Sequence, residues 1–326
     1  MMSMAGDPPS ARTVPDDPAS SGLGVVDLPG SGPPIVFLHG LGGASTLDYA
    51  RTAAASTLQT RRRVLVDMPG FGASARRCAP GLDHSIAGYA AFLDDWLESV
   101  PGVGRFDQSK QPVGTGTPVV TGIPVLTESS GEDDLRVESV GVPASRPPAV
   151  APDQRARPRV ILFGHSAGGA VALSLAALRP ERVAGVILTE ANLDAGGGTA
   201  SRAIAGRSEE SFIRRGHAAL VRTERAKSNP WSQTVALADP VALHREACSL
   251  VAGATPSWRD ILYGLTCPKA YVFGERNLPD PDATELLRHG VEVMTVPNAG
   301  HNMAWENPDG LAAVIARFMK GVAGGS

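Results

Sequence analysis

The sequence predicts an α/β fold: a mostly parallel central sheet with flanking helices and an inserted helical cap. Three observations carry that prediction. Short unbroken apolar runs, such as residues 35–38 and 160–163, alternate with stretches of helical spacing, as strands buried on both faces of a parallel sheet do. Several of these runs end in glycine-rich or Pro-Gly loops. Residues 193–262 contain helical stretches and no strong strand, as an insertion between two strands would.

Residues 1–22 are rich in Pro, Asp, Ser and Ala and lack an apolar core. They read as a disordered leader and not as a secretory signal. Residues 24–28 are then a short strand, 29–33 a turn cluster and 35–38 a buried strand. That strand runs into His39-Gly40-Leu41-Gly42-Gly43. Without G-K-[ST] or G-x-G-x-x-G the loop is no phosphate cradle. It suits a different purpose, offering the Leu41 backbone N–H to a substrate oxygen. Helical spacing follows over 47–58. A strand over 63–66 closes with Asp67-Met68-Pro69-Gly70-Phe71-Gly72. Ile86, Tyr89, Leu93, Trp96 and Leu97 mark an amphipathic helix over 85–100. Residues 101–158, dense in Pro, Gly, Ser and Thr, read as a low-complexity insertion with one hairpin over 119–126.

The stretch 160–173 organises the rest. Four apolar residues stop at Gly164, His165 and Ser166 follow, and Ala167-Gly168-Gly169-Ala170 opens a small-residue helix. G-x-S-x-G at such a strand-to-helix corner is the shape that exposes a nucleophilic serine. Gly164 and Gly168 let strand and helix pass closely. The free N–H groups at the helix start face any oxyanion formed on Ser166. Downstream, 182–189 is a strand ending at Glu190-Ala191-Asn192. Helical stretches near 209–225, 232–237, 241–252 and 258–262 follow. Strands over 269–273 and 291–296 resume the sheet, the second ending in Pro297-Asn298-Ala299-Gly300-His301, and a helix over 309–320 closes the chain. The expected organisation is a leader (1–22), a core (23–192 and 263–322) carrying the 101–158 insertion, and a cap (193–262).

Composition excludes several classes. A net charge of −3 over 326 residues leaves no basic footprint, so no nucleic-acid partner is expected. No apolar run approaches the roughly 20 residues of a membrane span. Cys78, Cys248 and Cys267 are scattered and lack C-x-x-C spacing, which argues for no metal, no disulfide framework and a reducing cytoplasm.

The strand-end HG loop, the serine corner and a His after the last strand agree in order. The chain resembles the α/β-hydrolase superfamily over almost all of 24–320 outside the insertion, on FLHGLGG (37–43), DMPGFGAS (67–74), GHSAGG (164–169) and NAGHNMAWENP (298–308). Within it, the lidded epoxide-hydrolase-like and dehalogenase-like branch fits best. Members of that branch with aspartate as nucleophile break C–X or epoxide C–O bonds; Ser166 in that position implies acyl transfer to serine instead. The resemblance implies Ser166 as nucleophile and His301 as general base, followed by the family's Glu306-Asn307-Pro308 signature. It also implies an oxyanion hole from the N–H groups of Leu41 and Ala167, each donor worth roughly 3–4 kcal/mol in the transition state. His165 packs against or tunes the site, and His39 braces the oxyanion loop beside the substrate.

The acid departs from the commonest family pattern. Many relatives place an Asp about three residues past a Gly after the next-to-last strand, and here Gly274-Glu275-Arg276-Asn277 puts an amide there. A subset of dehalogenase-like relatives instead carries a Glu after the strand that follows the nucleophile helix, and Glu190 matches that position. The order Ser166, Glu190, His301 satisfies the family's Ser, acid, His sequence. Glu190 is favoured, with Asp280 or Asp282 as alternatives.

Leu41, Leu193, Phe212, Trp231, Trp258, Met303 and Trp305 are candidates for the pocket lining. The expected activity is hydrolysis of an ester or related carbonyl bond in a small to medium, mainly apolar molecule. An acyltransferase or perhydrolase with the same triad, or a low-turnover binding protein, are the alternatives. Side chains and backbone amides supply all of this chemistry, so no cofactor is required.

Overall fold

The computed structural model describes residues 23–76, 81–100 and 159–323. The expected leader, the 101–158 insertion with its hairpin, and Cys78 lie outside the described residues. Seven strands, β1 (Gly24–Leu28), β2 (Ser31–Leu38), β3 (Arg61–Asp67), β4 (Val160–His165), β5 (Val183–Thr189), β6 (Lys269–Gly274) and β7 (Glu292–Val296), form one sheet in the order β1-β3-β2-β4-β5-β6-β7. β1 pairs antiparallel with β3 and every other pair is parallel. β2 starts earlier than its apolar run because Ser31 already pairs with Arg61, before a register shift leads into Ile35.

The helices are α1 (Ser45–Asp48), α2 (Ala50–Ala54), α3 (Ile86–Ser99), α4 (Ala167–Leu178), α5 (Thr199–Ala205), α6 (Glu209–Ser211), α7 (His217–Ala226), α8 (Trp231–Val235), α9 (Pro240–Ala252), α10 (Trp258–Gly264), α11 (Asp282–Arg288), α12 (Met303–Glu306) and α13 (Pro308–Ala323). The single helix expected over 47–58 is instead α1, α2 and a 3₁₀ turn at Ser56–Leu58, because Tyr49 and Ala55 leave helical backbone angles. α3 opens on Ser85, whose hydroxyl accepts the Gly88 N–H at 2.9 Å, a side-chain cap for an orphan donor.

Successive side chains of a strand point to opposite faces. Val36, Leu38, Val64, Leu162, Val186 and Leu188 therefore face one core with residues of α3 and α4. Ile35, Phe37, Leu65, Ile161, Phe163 and Ile187 face the other, with residues of α2 and α13. The chain leaves β2 for β3 on one side and passes from β4 to β5 on the other. Such a reversal opens a crevice at the carboxyl ends of the strands, where ligands bind in α/β sheets.

Helices α5 to α10 lie between β5 and β6 in the chain. The helix expected over 209–225 contains a π turn at Phe212–Gly216 between α6 and α7, and α5 was not legible as a helix. α9 is capped by the Asp239 carboxylate, which accepts the N–H groups of Val241 and Ala242. The same helix lies against the strand-end loops: a Cβ on Gly70 would stand 2.4 Å from Ala242 Cβ. Among the described residues, no helix is long and apolar enough to cross a membrane.

Candidate active site

Sheet register brings the chemistry together. Leu38 pairs with Gly164, His165 with Thr189, and Gly274 with Val296. The loops beginning at His39, Ser166, Glu190, Glu275 and Pro297 therefore leave neighbouring strands at one edge of the sheet. Ser166 stands between β4 and α4 with φ 50° and ψ −118°, a strained setting for a residue with a side chain. Three backbone hydrogen bonds hold it there. Its N–H donates to Thr189 O (3.0 Å), and its carbonyl accepts Gly169 N–H (3.0 Å) and Asn192 N–H (3.2 Å). Close approach is what the two glycines supply: a Cβ on Gly164 would fall 2.5 Å from Gly168 O, and one on Gly168 2.4 Å from His39 O.

The HG loop is a tight turn closed by Gly43 N–H to Gly40 O at 2.8 Å. The buried His39 sits behind it. Its Nε2 accepts the Met68 N–H at 3.0 Å, so the ring proton is on Nδ1, which donates to Gly40 O at 2.9 Å. Burial lowers the His39 pKa against the pull of Asp67 and the Gly40 bond, keeping that tautomer neutral. With the Gly40 carbonyl held from two sides, the planar trans peptide aims the Leu41 N–H the opposite way. Ala167 begins α4, and its N–H has no carbonyl one turn back to bond.

Glu190 follows β5 with φ 45°, its N–H donating to Val272 O at 3.1 Å. Its Oε1 accepts the Gly274 N–H at 2.8 Å and the Asn277 Nδ2–H at 2.9 Å. His301 is exposed on the cavity wall. Desolvation by the surrounding protein lowers its pKa, while the carboxylates of Glu190 and Glu306 pull it up. The Glu-Asn-Pro signature has a structural reason. Glu306 accepts the Gly300 N–H at 2.5 Å and pairs with Arg276 at 2.7 Å, while Asn307 donates to Pro297 O and accepts the Gly310 N–H. Together these fix the loop that carries His301. The His165 ring lies 4.7 Å from that of His301, and its Nδ1 donates to Thr189 O at 3.0 Å. Burial, then the nearby His301, pushes the His165 pKa down to about 3.

Ser166, Glu190 and His301 line one cavity of about 810 Å³, together with Leu41, His165 and Asn192. Among the described residues, no direct hydrogen bond joins the three to one another; catalytic contacts of this kind often tighten only around substrate. Among the described residues there is also no cluster of three or more metal-ligating side chains.

A model of the alpha/beta hydrolase family matches residues 35–314. The chain belongs to that family. No curated protein is significantly similar to this hydrolase in sequence. Solved structures are similar in fold. An esterase from Thermogutta terrifontis superposes with a TM-score of 0.60 at 19% identity, over 92% of this chain and 93% of the other. The N-acyl homoserine lactonase AidH gives 0.60 at 19%, over 93% and 96%. The enol-lactonase of Burkholderia xenovorans LB400 gives 0.61 at 15%, over 91% and 96%.

The other residues expected at the site divide. Leu41, Phe212, Trp231, Met303 and Trp305 line the cavity of this hydrolase. Leu193, Trp258 and His39 do not. Trp258 is buried against α4, its indole N–H donating to Ser174 Oγ at 3.1 Å. Leu193 is buried beside it, its carbonyl accepting the Arg259 N–H. Asp282 is ion-paired to Arg259 at 2.9 Å, and Asp280 accepts the Asp282 N–H at the start of α11; neither lines the cavity. The sequence reading missed the lining supplied by α5 and by Asp48. Asp48 accepts the Ala44 N–H and the Trp305 indole N–H, each at 3.0 Å, and burial pushes its carboxyl up to about 6. Gly198-Thr199 before an Ala-rich run was the only available signal for α5.

Proposed function

We propose that this alpha/beta hydrolase is a serine hydrolase that cleaves a carboxylic ester or related carbonyl bond through an acyl-enzyme on Ser166. The observation that carries the reading is Ser166 itself, held at φ 50° at the head of α4 in a cavity it shares with His301 and Glu190. Ser166 Oγ attacks the carbonyl carbon while His301 takes its proton. The tetrahedral oxyanion is received by the N–H groups of Leu41 and Ala167. As the C–O bond breaks, His301 returns the proton to the departing alcohol. Water then attacks the acyl-enzyme with His301 as base, His301 passes that proton to Ser166 Oγ as the acyl–Oγ bond breaks, and the carboxylic acid product leaves.

Glu190 is the acid of this triad, stabilising the His301 cation through the field that raises its pKa. The helices between β5 and β6 act as the cap. Leu220 and Phe212 from the cap, with Leu41 and Met303 from the core, fit a small to medium substrate with an apolar acyl or alcohol group. The similarity in fold to an esterase and to two lactonases supports the same class of bond.

The test is hydrolysis of p-nitrophenyl esters of graded acyl length by the parent, Ser166→Ala, Glu190→Gln and Asp280→Asn. Turnover is expected in the parent and in Asp280→Asn, and loss in the other two. Full activity in Ser166→Ala, or none in the parent on any ester, would overturn the reading.

A further inference from the structure

The hydrogen bond from Trp231 Nε1 to the Leu41 carbonyl, at 2.7 Å, joins the helices above the cavity to the HG loop, 190 residues away in sequence. Leu41 and Gly42 are the central residues of the turn closed by Gly43 N–H to Gly40 O. Gly42 has φ +65°, the sign a type II turn requires at its third position. The Gly43 N–H to Gly40 O bond that closes this turn is one of the two bonds that hold the Gly40 carbonyl and so aim the Leu41 N–H. The indole braces the closed turn from the cap side, at the Leu41 carbonyl. Gly42 also makes room for it, since a Cβ there would meet Trp231 Nε1 at 3.1 Å and Val235 Cγ2 at 3.1 Å.

Trp231 is itself held from both ends of α8. Its N–H donates to Asn229 Oδ1 at 3.1 Å, and Asn229 Nδ2 donates to Glu224 Oε2 at 2.7 Å. The buried Glu224 carboxylate is further bound by Lys227 Nζ at 2.8 Å. At the other end, His217 Nε2 donates to Val235 O at 2.8 Å. The donor is therefore fixed to α7 and not to a swinging loop.

We propose that Trp231 is a positioning residue that latches the oxyanion loop to the cap. This rests on the serine hydrolase reading above. With the indole in place, the turn presents the Leu41 N–H to the oxyanion. If the cap lifts, the donor leaves with it, the Leu41 carbonyl loses its partner and the turn is free to open at the Gly43 N–H to Gly40 O bond, which loosens the peptide that carries the Leu41 N–H. The bond acts through the loop and strengthens no ground-state contact, so its loss falls on kcat and not on KM.

Two variants remove the donor: Trp231→Phe, and replacement of the same side chain by β-(3-benzothienyl)alanine, which keeps the shape of indole. The first readout is amide hydrogen exchange at Gly43, whose N–H closes the turn. The second is kcat and KM on a short p-nitrophenyl ester. A melting temperature near that of the parent confirms that each variant is folded. Exchange is expected to rise about tenfold and kcat to fall about tenfold, a single hydrogen bond's worth, with KM unchanged in the benzothienyl variant. Unchanged exchange in that variant would overturn the latch whatever the turnover. Faster exchange with unchanged kcat would show that the latch positions nothing. Faster exchange in a protein whose parent hydrolyses no ester would leave the latch standing and sink the hydrolase reading instead.

Discussion

Asn277 donates its side-chain N–H to Glu190 Oε1 at 2.9 Å. The loop where many α/β-hydrolase relatives keep an aspartate thus holds an amide that grips the carboxylate of another strand. Asn277 Oδ1 also comes within 3.6 Å of where a Cβ on Gly300 would stand, next to His301, the proposed base. Glu190→Gln is expected to lower kcat/KM by about 10³–10⁴, by analogy with loss of the acid in serine proteases. Adding Asn277→Asp to Glu190→Gln should recover at least tenfold, measured on the same ester. No recovery would mean that only the end of β5 can serve the base.

The rate should also report the state of His301. A general base, the role proposed for His301, works unprotonated, and desolvation holds the folded His301 pKa below 6.5. Activity is therefore expected to persist below pH 6.5 and to fall as pH drops through the lowered pKa. His165, at about 3, stays neutral across that range and adds no second limb. Glu190→Gln removes the group that raises the His301 pKa most, so its acid limb should move to still lower pH. A pH–rate profile of kcat/KM for both proteins checks this; a limb displaced upward would remove Glu190 as the electrostatic partner.

Stability carries a separate pH signature. Glu246 on α9 is fully buried, and among the described residues neither carboxyl oxygen has a hydrogen-bond partner. Burial pushes its pKa from 4.5 up to about 8. The unfolded chain releases this proton first, so folding stability declines as pH rises from about 4.5 to about 8 and then levels off. Glu246→Gln should match the parent at pH 4 and exceed it by roughly 3–5 kcal/mol at pH 8. Urea unfolding at the two pH values provides the comparison, and equal stability at both would exclude a buried ionisation there.

Removing His39 should damage stability and rate together. His39→Ala leaves the Met68 N–H and one side of the Gly40 carbonyl unbonded in the interior. A loss of roughly 2–4 kcal/mol is expected, with kcat falling more than KM changes. Unfolding and steady-state kinetics on one preparation test both. A normal kcat in a destabilised protein would restrict His39 to a structural role.

Much of this fold could be read from local pattern. The run 160–173 announced strand, turn and helix because an unbroken apolar segment met small residues at fixed spacing. The position of His301 was readable from Glu306-Asn307-Pro308, whose bonds to Gly300 and Pro297 give those residue types a structural task in fixing the loop. Direction was harder to read than identity. Trp258 and Trp231 are both aromatic residues of the helical segment, yet one turns to Ser174 on α4 and the other to Leu41. Both placements bury the ring and satisfy its N–H, so composition cannot separate them. α5 escaped because Thr199-Ala-Ser-Arg-Ala-Ile-Ala presents too few apolar residues to show a helical period.

Ser166 and Glu190 stand side by side at the ends of β4 and β5, both with positive φ. Each such setting costs a side-chain-bearing residue about 1–3 kcal/mol. The two corners prop each other, since Ser166 N–H reaches Thr189 O and Asn192 N–H returns to Ser166 O. On the proposed mechanism, the protein trades durability for reactivity at adjacent points of its sheet. A lineage selected for heat resistance alone, with no demand for turnover, would be expected to drift toward glycine at residues 166 and 190, becoming sturdier as it fell silent.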